Sequence, residues 1–338
     1  MNEPLSRRGF LRLSFAFSAL AGLGSLPSLA KQRTAANNAS HWLMVGDWGY
    51  EDFTAQKVVS AAMQRYAQDQ GLKTDALLML GDNWYGPLPG GATSQRWLTQ
   101  FEEMYPRSIF DCPAYAVLGN HDYQRMPESK VDAELAYAKK NGTRWILPSR
   151  WYRFEFPVEK PLVTVLALDS NMPHPINTQA KGVNFTLTAE EQTEQLHWLQ
   201  AELEKPRKTP YLIVMAHHPI YSNGPHGDHA TLMEDWQPLL RQHKAHLYLA
   251  GHDHDMQHLE FEGHPTSFVI SGGGGADLYT LKIDEDQRGP YAAKVYGFSH
   301  LQIAPDKLTL LHLDTTGRII HGFTKTPTGD VEILHQSS

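Results

Sequence analysis

Five short strings constrain this chain more than any bulk property does: Gly46-Asp47-Trp48-Gly49, Gly81-Asp82-Asn83-Trp84-Tyr85, Gly119-Asn120-His121-Asp122, Val214-Met215-Ala216-His217 and Gly251-His252-Asp253-His254. Each begins inside or just after a short apolar run, at residues 42–45, 76–80, 115–118, 211–216 and 247–250. Continuous apolar runs of this length, bounded by turn residues, read as strands buried on both faces. A donor placed just after such a strand lies at its C-terminal end, where open α/β sheets gather their ligands. The strings together supply about the number of donors that two cations need.

A sixth apolar run, 162–168, reads as a strand as well. Between the strands lie stretches with apolar spacing near three and four, at 55–66, 187–203 and 232–243, which predict helices. Alternating strand and helix implies an α/β fold with much parallel or mixed sheet. From Gln257 onward the pattern changes to alternating segments at 298–303, 307–313 and 319–323, separated by Pro-Asp or Thr-Gly turns. These predict antiparallel strands completing a second sheet. The chain has 338 residues, 41% of them apolar, enough for a large core. No linker, charge block or repeat divides the span from Asp47 to His254, so a single domain over 31–338 is expected. The one cysteine, Cys112, cannot form an internal disulfide and reads as packing.

Asp47 follows the first strand, and Gly49 leaves the backbone room near a cation. Asp82 can bridge two cations while the Tyr85 phenolate reaches one of them; phenolate is a hard anionic donor suited to Fe(III). The Asn120 carbonyl suits a less charged partner metal, and His121 beside it is free to face substrate. His217 ends an apolar strand, and His252 and His254, two apart, can each give a nitrogen to neighbouring metals. Taken singly, each has a bland reading as a turn Asp, a surface His or a hydrogen-bonded Tyr; their joint order is what speaks. His218, His229, His258 and His264 are read as surplus surface or supporting histidines among the 18 present. The run Gly272 to Gly275 lacks the Lys-Ser/Thr and following helix of a phosphate loop and is expected to be a tight strand exit beside the site. Trp48 and Trp84 could wall the pocket or simply pack in the core.

Asp-x-Gly, Gly-Asp-x-x-Tyr, Gly-Asn-His-Asp, Val-x-x-His and Gly-His-x-His, in this order, resemble the purple acid phosphatases of the small, tartrate-resistant type, within the calcineurin-like metallophosphoesterases. Gly49 and Tyr85 separate the chain from the wider superfamily, which usually has Asp-x-His first and no Tyr in the second string. The resemblance covers nearly all of 41–325. It implies an α/β fold of two mixed β-sheets packed as a sandwich and flanked by helices, in four layers αββα. It implies that Asp47, Tyr85 and His254 hold Fe(III), that Asn120, His217 and His252 hold a divalent Fe, Zn or Mn, and that Asp82 bridges. His121 and His226 would contact the phosphate or leaving group. The implied activity is hydrolysis of phosphomonoesters at acidic pH by attack of hydroxide generated at the metal pair. A phosphodiesterase on the same site, and a non-catalytic phosphate- or metal-binding envelope protein, are the rival readings.

At the N-terminus, Ser6-Arg7-Arg8-Gly9-Phe10-Leu11 precedes a weakly hydrophobic run and Ser28-Leu29-Ala30, a small-x-small cleavage site. This resembles a twin-arginine export signal over 1–30, which makes the export machinery a partner and the periplasm or extracellular space the destination. That route carries folded proteins, which suits an enzyme loaded with metal before export. The run is too short and too rich in Gly and Ser for a convincing membrane span. The formal charge is −7, and removal of Arg7, Arg8, Arg12 and Glu3 leaves the remainder more acidic still. An acidic surface argues against nucleic acid as the main partner and leaves a small phosphate ester as the expected one.

Overall fold

The computed structural model describes residues 39–124, 129–172, 186–284 and 286–336. The leader-like segment 1–30 lies outside the described residues. In chain order the elements are β1 (Ser40–Val45), α1 (Thr54–Asp69), β2 (Ala76–Met79), β3 (Ala114–Ala116), α2 (Lys130–Tyr137), β4 (Trp145–Ile146), β5 (Tyr152–Phe156), β6 (Val163–Ala167), α3 (Ala189–Glu204), β7 (Tyr211–Met215), α4 (Ala230–Asp235), α5 (Gln237–Gln242), β8 (Leu247–Ala250), β9 (Met256–Leu259), β10 (Ser267–Ser271), β11 (Pro290–Ala293), β12 (Gly297–Ile303), β13 (Leu308–Asp314), β14 (Ile319–Lys325) and β15 (Val331–Gln336).

The strands form two mixed sheets. One has eight strands in the order β15-β14-β13-β12-β1-β2-β3-β4, the other seven in the order β11-β9-β10-β8-β7-β6-β5. β1, β2, β3 and β4 run parallel in the first sheet; β6, β7, β8 and β10 run parallel in the second. Strands β1, β2, β6, β7 and β8 are apolar almost throughout and buried, as strands covered on both faces must be. Residues of both sheets share one apolar core, in which Trp42 of β1 packs edge-on to Phe156 of β5 at 5.5 Å. The Gly46 N–H donates to the Ser271 carbonyl at 2.8 Å, joining the sheets where the β1 and β10 ends meet.

Two expectations are corrected. The C-terminal antiparallel strands β12, β13 and β14 do not complete a second sheet: they extend the first, because β12 pairs antiparallel with β1 from Ser40↔Ile303 to Met44↔Ser299. Alternation predicts a half-buried antiparallel strand but carries no information about which edge it joins. The helix expected over 232–243 is two short ones that meet at Trp236. Pro238 has no N–H to donate and its ring crowds the carbonyl four residues back, so one continuous helix cannot form there. By contrast α3 opens with a full capping box, Thr188 and Glu191 exchanging side-chain and backbone bonds, and runs close to the expected 187–203.

Candidate metal centre

All five strings fall on loops leaving the C-terminal ends of parallel strands: β1, β2 and β3 in one sheet, β7 and β8 in the other. Packing the sheets brings the two sets together. His217 Nε2 lies 3.2 Å from Asn120 Oδ1 and 3.3 Å from Asp82 Oδ2; His252 Nδ1 lies 3.0 Å from Asn120 Oδ1 and 3.3 Å from His217 Nε2. On the other side of Asp82, Tyr85 Oη lies 3.3 Å from Asp47 Oδ1 and 3.0 Å from His254 Nε2, which is itself 3.5 Å from Asp47 Oδ1. One donor atom each from Asp47, Asp82 and His254 falls within 4.8 Å of the others. The seven candidate ligands thus form two adjoining groups that share Asp82.

The backbone is bent to achieve this. Asp47, Asp82 and His252 have φ of 58°, 51° and 71°, three of the four positive-φ non-glycine residues among those described. An L residue in the left-handed region costs free energy, and such residues persist where the surroundings over-determine them. The turns also need missing side chains. A Cβ on Gly119 would sit 2.2 Å from Asp82 Oδ1, and one on Gly272 would sit 2.0 Å from the Asp253 carbonyl and 2.9 Å from Asp47 Oδ2. The run 272–275 is therefore a strand exit pressed against the site. Trp48 and Trp84 are fully buried in an aromatic cluster with Trp97 and Tyr105, so they pack beneath the ligands rather than line an opening.

The donor set fits cations. Asp47, Asp82 and Tyr85 bring three oxygens that can carry negative charge into a site from which water is largely excluded. Burial pushes the Asp47 carboxyl well up, against the pull of His217, and pushes the Tyr85 hydroxyl up, helped by Asp82 and Asp47. Burial would raise Asp82 too, but His217 and His121 outweigh it and hold that carboxyl low. Burial holds His252 and His254 in the neutral form that offers a lone pair. Two of the three candidate imidazoles are oriented from behind: His217 Nδ1 donates to the Leu80 carbonyl at 2.9 Å and His254 Nδ1 to the Asp277 carbonyl at 2.6 Å. Fixing one ring nitrogen on a carbonyl leaves the other as the donor to a metal.

His121 and His226 stand at the edge of this group. The His121 ring stacks on Tyr85 at 4.0 Å, its side chain is 29% exposed, and Nε2 lies 4.0 Å from Asp82 Oδ2. His226 donates from Nδ1 to Asp253 Oδ1 at 2.7 Å, and its ring is 4.2 Å from that of His252. His218, counted with the surplus histidines, also reaches the site: one nitrogen each of His217, His218 and His252 lie within 4.8 Å, and Ser170 Oγ meets His218 Nδ1 at 2.9 Å. His229, by contrast, caps α4, and His258 is buried against His321 and Glu260. Sequence reasoning missed Asp122, whose carboxylate accepts from the N–H groups of Gly119 at 2.8 Å, Asn83 at 3.1 Å and Trp84 at 2.8 Å, tying the β2 and β3 loops together. Its place in Gly-Asn-His-Asp was the available signal.

Residues 42–256 match the calcineurin-like phosphoesterase family. The chain is 29% identical over 308 residues to tartrate-resistant acid phosphatase type 5 of Mus musculus, covering 84% of this chain and 90% of that protein. It is 28% identical over 322 residues to purple acid phosphatase 7 of Arabidopsis thaliana, covering 92% and 93%. Among solved structures it resembles a purple acid phosphatase from yellow lupin seeds (TM-score 0.65, 18% identity, 85% of this chain and 54% of that one) and GAP50, described as the anchor in the inner membrane complex of Plasmodium (TM-score 0.71, 19% identity, 88% and 90%). The two structural likenesses speak for the fold alone.

Proposed function

We propose, from the premise that this chain belongs to the calcineurin-like phosphoesterases, that it is a binuclear-metal acid phosphatase that hydrolyses phosphomonoesters. The observation that carries the proposal is the meeting of Asp47, Asp82, Tyr85, Asn120, His217, His252 and His254 around two adjoining points. Asp47, Tyr85 and His254 would hold Fe(III), whose preference for hard anionic oxygen matches a carboxylate and a phenolate. Asn120, His217 and His252, with one neutral carbonyl and two imidazoles, would hold a divalent Fe, Zn or Mn, and Asp82 would serve both. A cation pair supplies two things when bound: it offsets charge on the phosphoryl oxygens, and it acidifies water so that a nucleophile exists below neutral pH.

The chain's own groups do the rest. Asp82 and Asp47 fix the spacing of the two sites through backbone bonds, His121 N–H to Asp82 Oδ1 at 2.7 Å and His252 N–H to Asp47 Oδ2 at 2.9 Å. His121, held against the Tyr85 ring with part of its edge in solvent, is placed to give a proton from Nε2 to the leaving oxygen or to neutralise charge developing on it. His226 is kept in one orientation by Asp253 and contacts the phosphate or leaving group from the His252 side. The test is the rate on an aryl phosphate monoester and on the matching diester across pH. A monoester preference with an acidic optimum supports the proposal; a diester preference with an alkaline optimum overturns it.

Export to the periplasm or beyond is part of the proposal and rests on Arg7, Arg8 and the leader-like sequence around them. Among the described residues no helix is long and apolar enough to cross a membrane. Replacing both arginines by lysine should retain the protein in the cytoplasm; unchanged export would remove the twin-arginine assignment.

A further inference from the structure

Four consecutive carbonyls around Tyr85 are gripped by two cations, one buried and one half-buried. Lys130, at the start of α2 and 1% exposed, donates from Nζ to the carbonyls of Trp84 at 2.7 Å and Gly86 at 3.0 Å. Arg96 donates from Nη1 to the carbonyls of Tyr85 and Pro87, both at 2.7 Å, and from Nη2 to Gly49 at 2.8 Å. The two side chains therefore alternate along 84–87, and Arg96 also joins this loop to the one that carries Asp47.

Neither cation is there for stability alone. Burying an ammonium costs several kcal/mol unless it is well paired, and apolar side chains of similar size commonly serve a core as well. The buried carboxylates of Asp122 and Glu134 lie near enough to Lys130 to offset part of its charge, but the groups both cations touch directly are carbonyl oxygens, so the contacts themselves fix a backbone. That backbone belongs to the one ligand whose side chain is a long lever: a tyrosine oxygen lies well beyond its Cα, so a small rotation of the main chain at 84–86 moves Oη by much more. A carboxylate or imidazole ligand held directly on a strand end needs no such brace.

We propose that Lys130 and Arg96 form a clasp that positions Tyr85 in the metal centre, acting on the metal only through that residue. The inference rests on the reading of Tyr85 as a ligand, and both are tested together by a double-mutant cycle on the metal-loaded enzyme. Metal retention against a chelator is measured for wild type, Lys130→Met, Tyr85→Phe and the double variant, with Arg96→Lys as a second and milder disturbance of the clasp. Loss of a residue that orients a ligand commonly costs about 10–100-fold in metal affinity, so Lys130→Met should weaken retention by about 10-fold or more. The same change made in the Tyr85→Phe background should then add nothing.

Lys130→Arg, which retains a cation at the carbonyls, should recover part of the loss. Equal effects of Lys130→Met with and without Tyr85 would overturn the clasp and leave a general packing role. Unaltered retention in both Lys130→Met and Arg96→Lys would overturn it as well. If Tyr85→Phe itself left retention unchanged, the ligand reading would fail and the clasp with it. Should Lys130→Met not fold, Arg96→Lys against Arg96→Lys/Tyr85→Phe completes the same cycle. A visible band present in wild type and displaced in the clasp variants supplies a spectroscopic readout of the same positioning.

Discussion

At the ends of β7 and β8, His217, His252 and His254 face Asp47, Asp82, Asn120 and Tyr85. Away from that edge, His312 meets Ser299 Oγ at 2.8 Å and the Gln257 carbonyl at 3.2 Å, His258 meets His321 at 2.9 Å and Glu260 at 2.8 Å, and His300 lies between His41 and the Tyr66 hydroxyl. Both groups are buried, and both are polar residues in a core that would otherwise exclude them. The difference lies in what surrounds them. The first group is placed among anionic oxygens, and its rings leave one nitrogen facing a shared point. In the second, His312 and His300 each have a hydrogen-bond partner on both ring nitrogens. Burial is therefore no guide to function among these histidines, and neither is a single carboxylate, since His258 has Glu260; what separates the first group is that its ring nitrogens converge with Asp47, Asp82, Asn120 and Tyr85 on a shared point.

The comparison can be broken most sharply at His217. His217→Ala should lower kcat/KM by about 10²–10³-fold, since it removes a proposed ligand of one of the two cations that act at the reacting centre, and metal analysis should show fewer than two ions per chain. Retained activity would place His217 with the structural group. Acid pH tests the other side. Burial pushes His300 and His312 down to about 3 and His246 to about 4. These imidazoles are neutral in the folded chain and become protonated more readily once unfolded, near 6.5. Their stability contribution is intact above that pH and is lost as pH falls toward the folded values, on the order of 3–5 kcal/mol for each. Chemical denaturation should show stability falling through this window, with a shallower fall in His312→Gln; a flat profile in the wild type would contradict the neutral assignment.

His121→Ala should cost about 10²-fold in kcat, the typical share of a single acid–base group, with stability near wild type because its ring is partly exposed. Full activity would remove its catalytic role. The smallest effect is expected for His312→Leu. It leaves Ser299 and the Gln257 carbonyl without their ring partner, for a loss of about 1–3 kcal/mol measured by denaturation, while metal content and kcat stay as they were.

The sequence was legible where one local signal sufficed. Short apolar runs ending in Asp, Asn or His marked β1, β2, β7 and β8, and each donor after them does reach the common centre, because a strand buried on both faces leaves its polar residues only at the end. Pairing partners were not legible: the antiparallel order of β12 to β14 could be seen, but the sheet they join is decided by contacts with β1 more than 250 residues away. The grip on the carbonyls of residues 84–87 was hidden for a related reason. Nothing beside Lys130 in the sequence marks it among the 30 lysines and arginines, and it meets the Trp84 and Gly86 carbonyls only once α2 has folded. Likewise His218 follows His217 directly, yet only Ser170, 48 residues earlier, turns it toward the site.

The central claim is that two cations sit where these side chains meet, one of them on Tyr85. Its most direct test is the visible absorption spectrum of the purified enzyme, taken with metal analysis, beside that of Tyr85→Phe. Two metals per chain, one of them iron, with a pink or purple band that vanishes in the variant, is the predicted result. A colourless protein, or a band that survives the loss of the phenol, would contradict it.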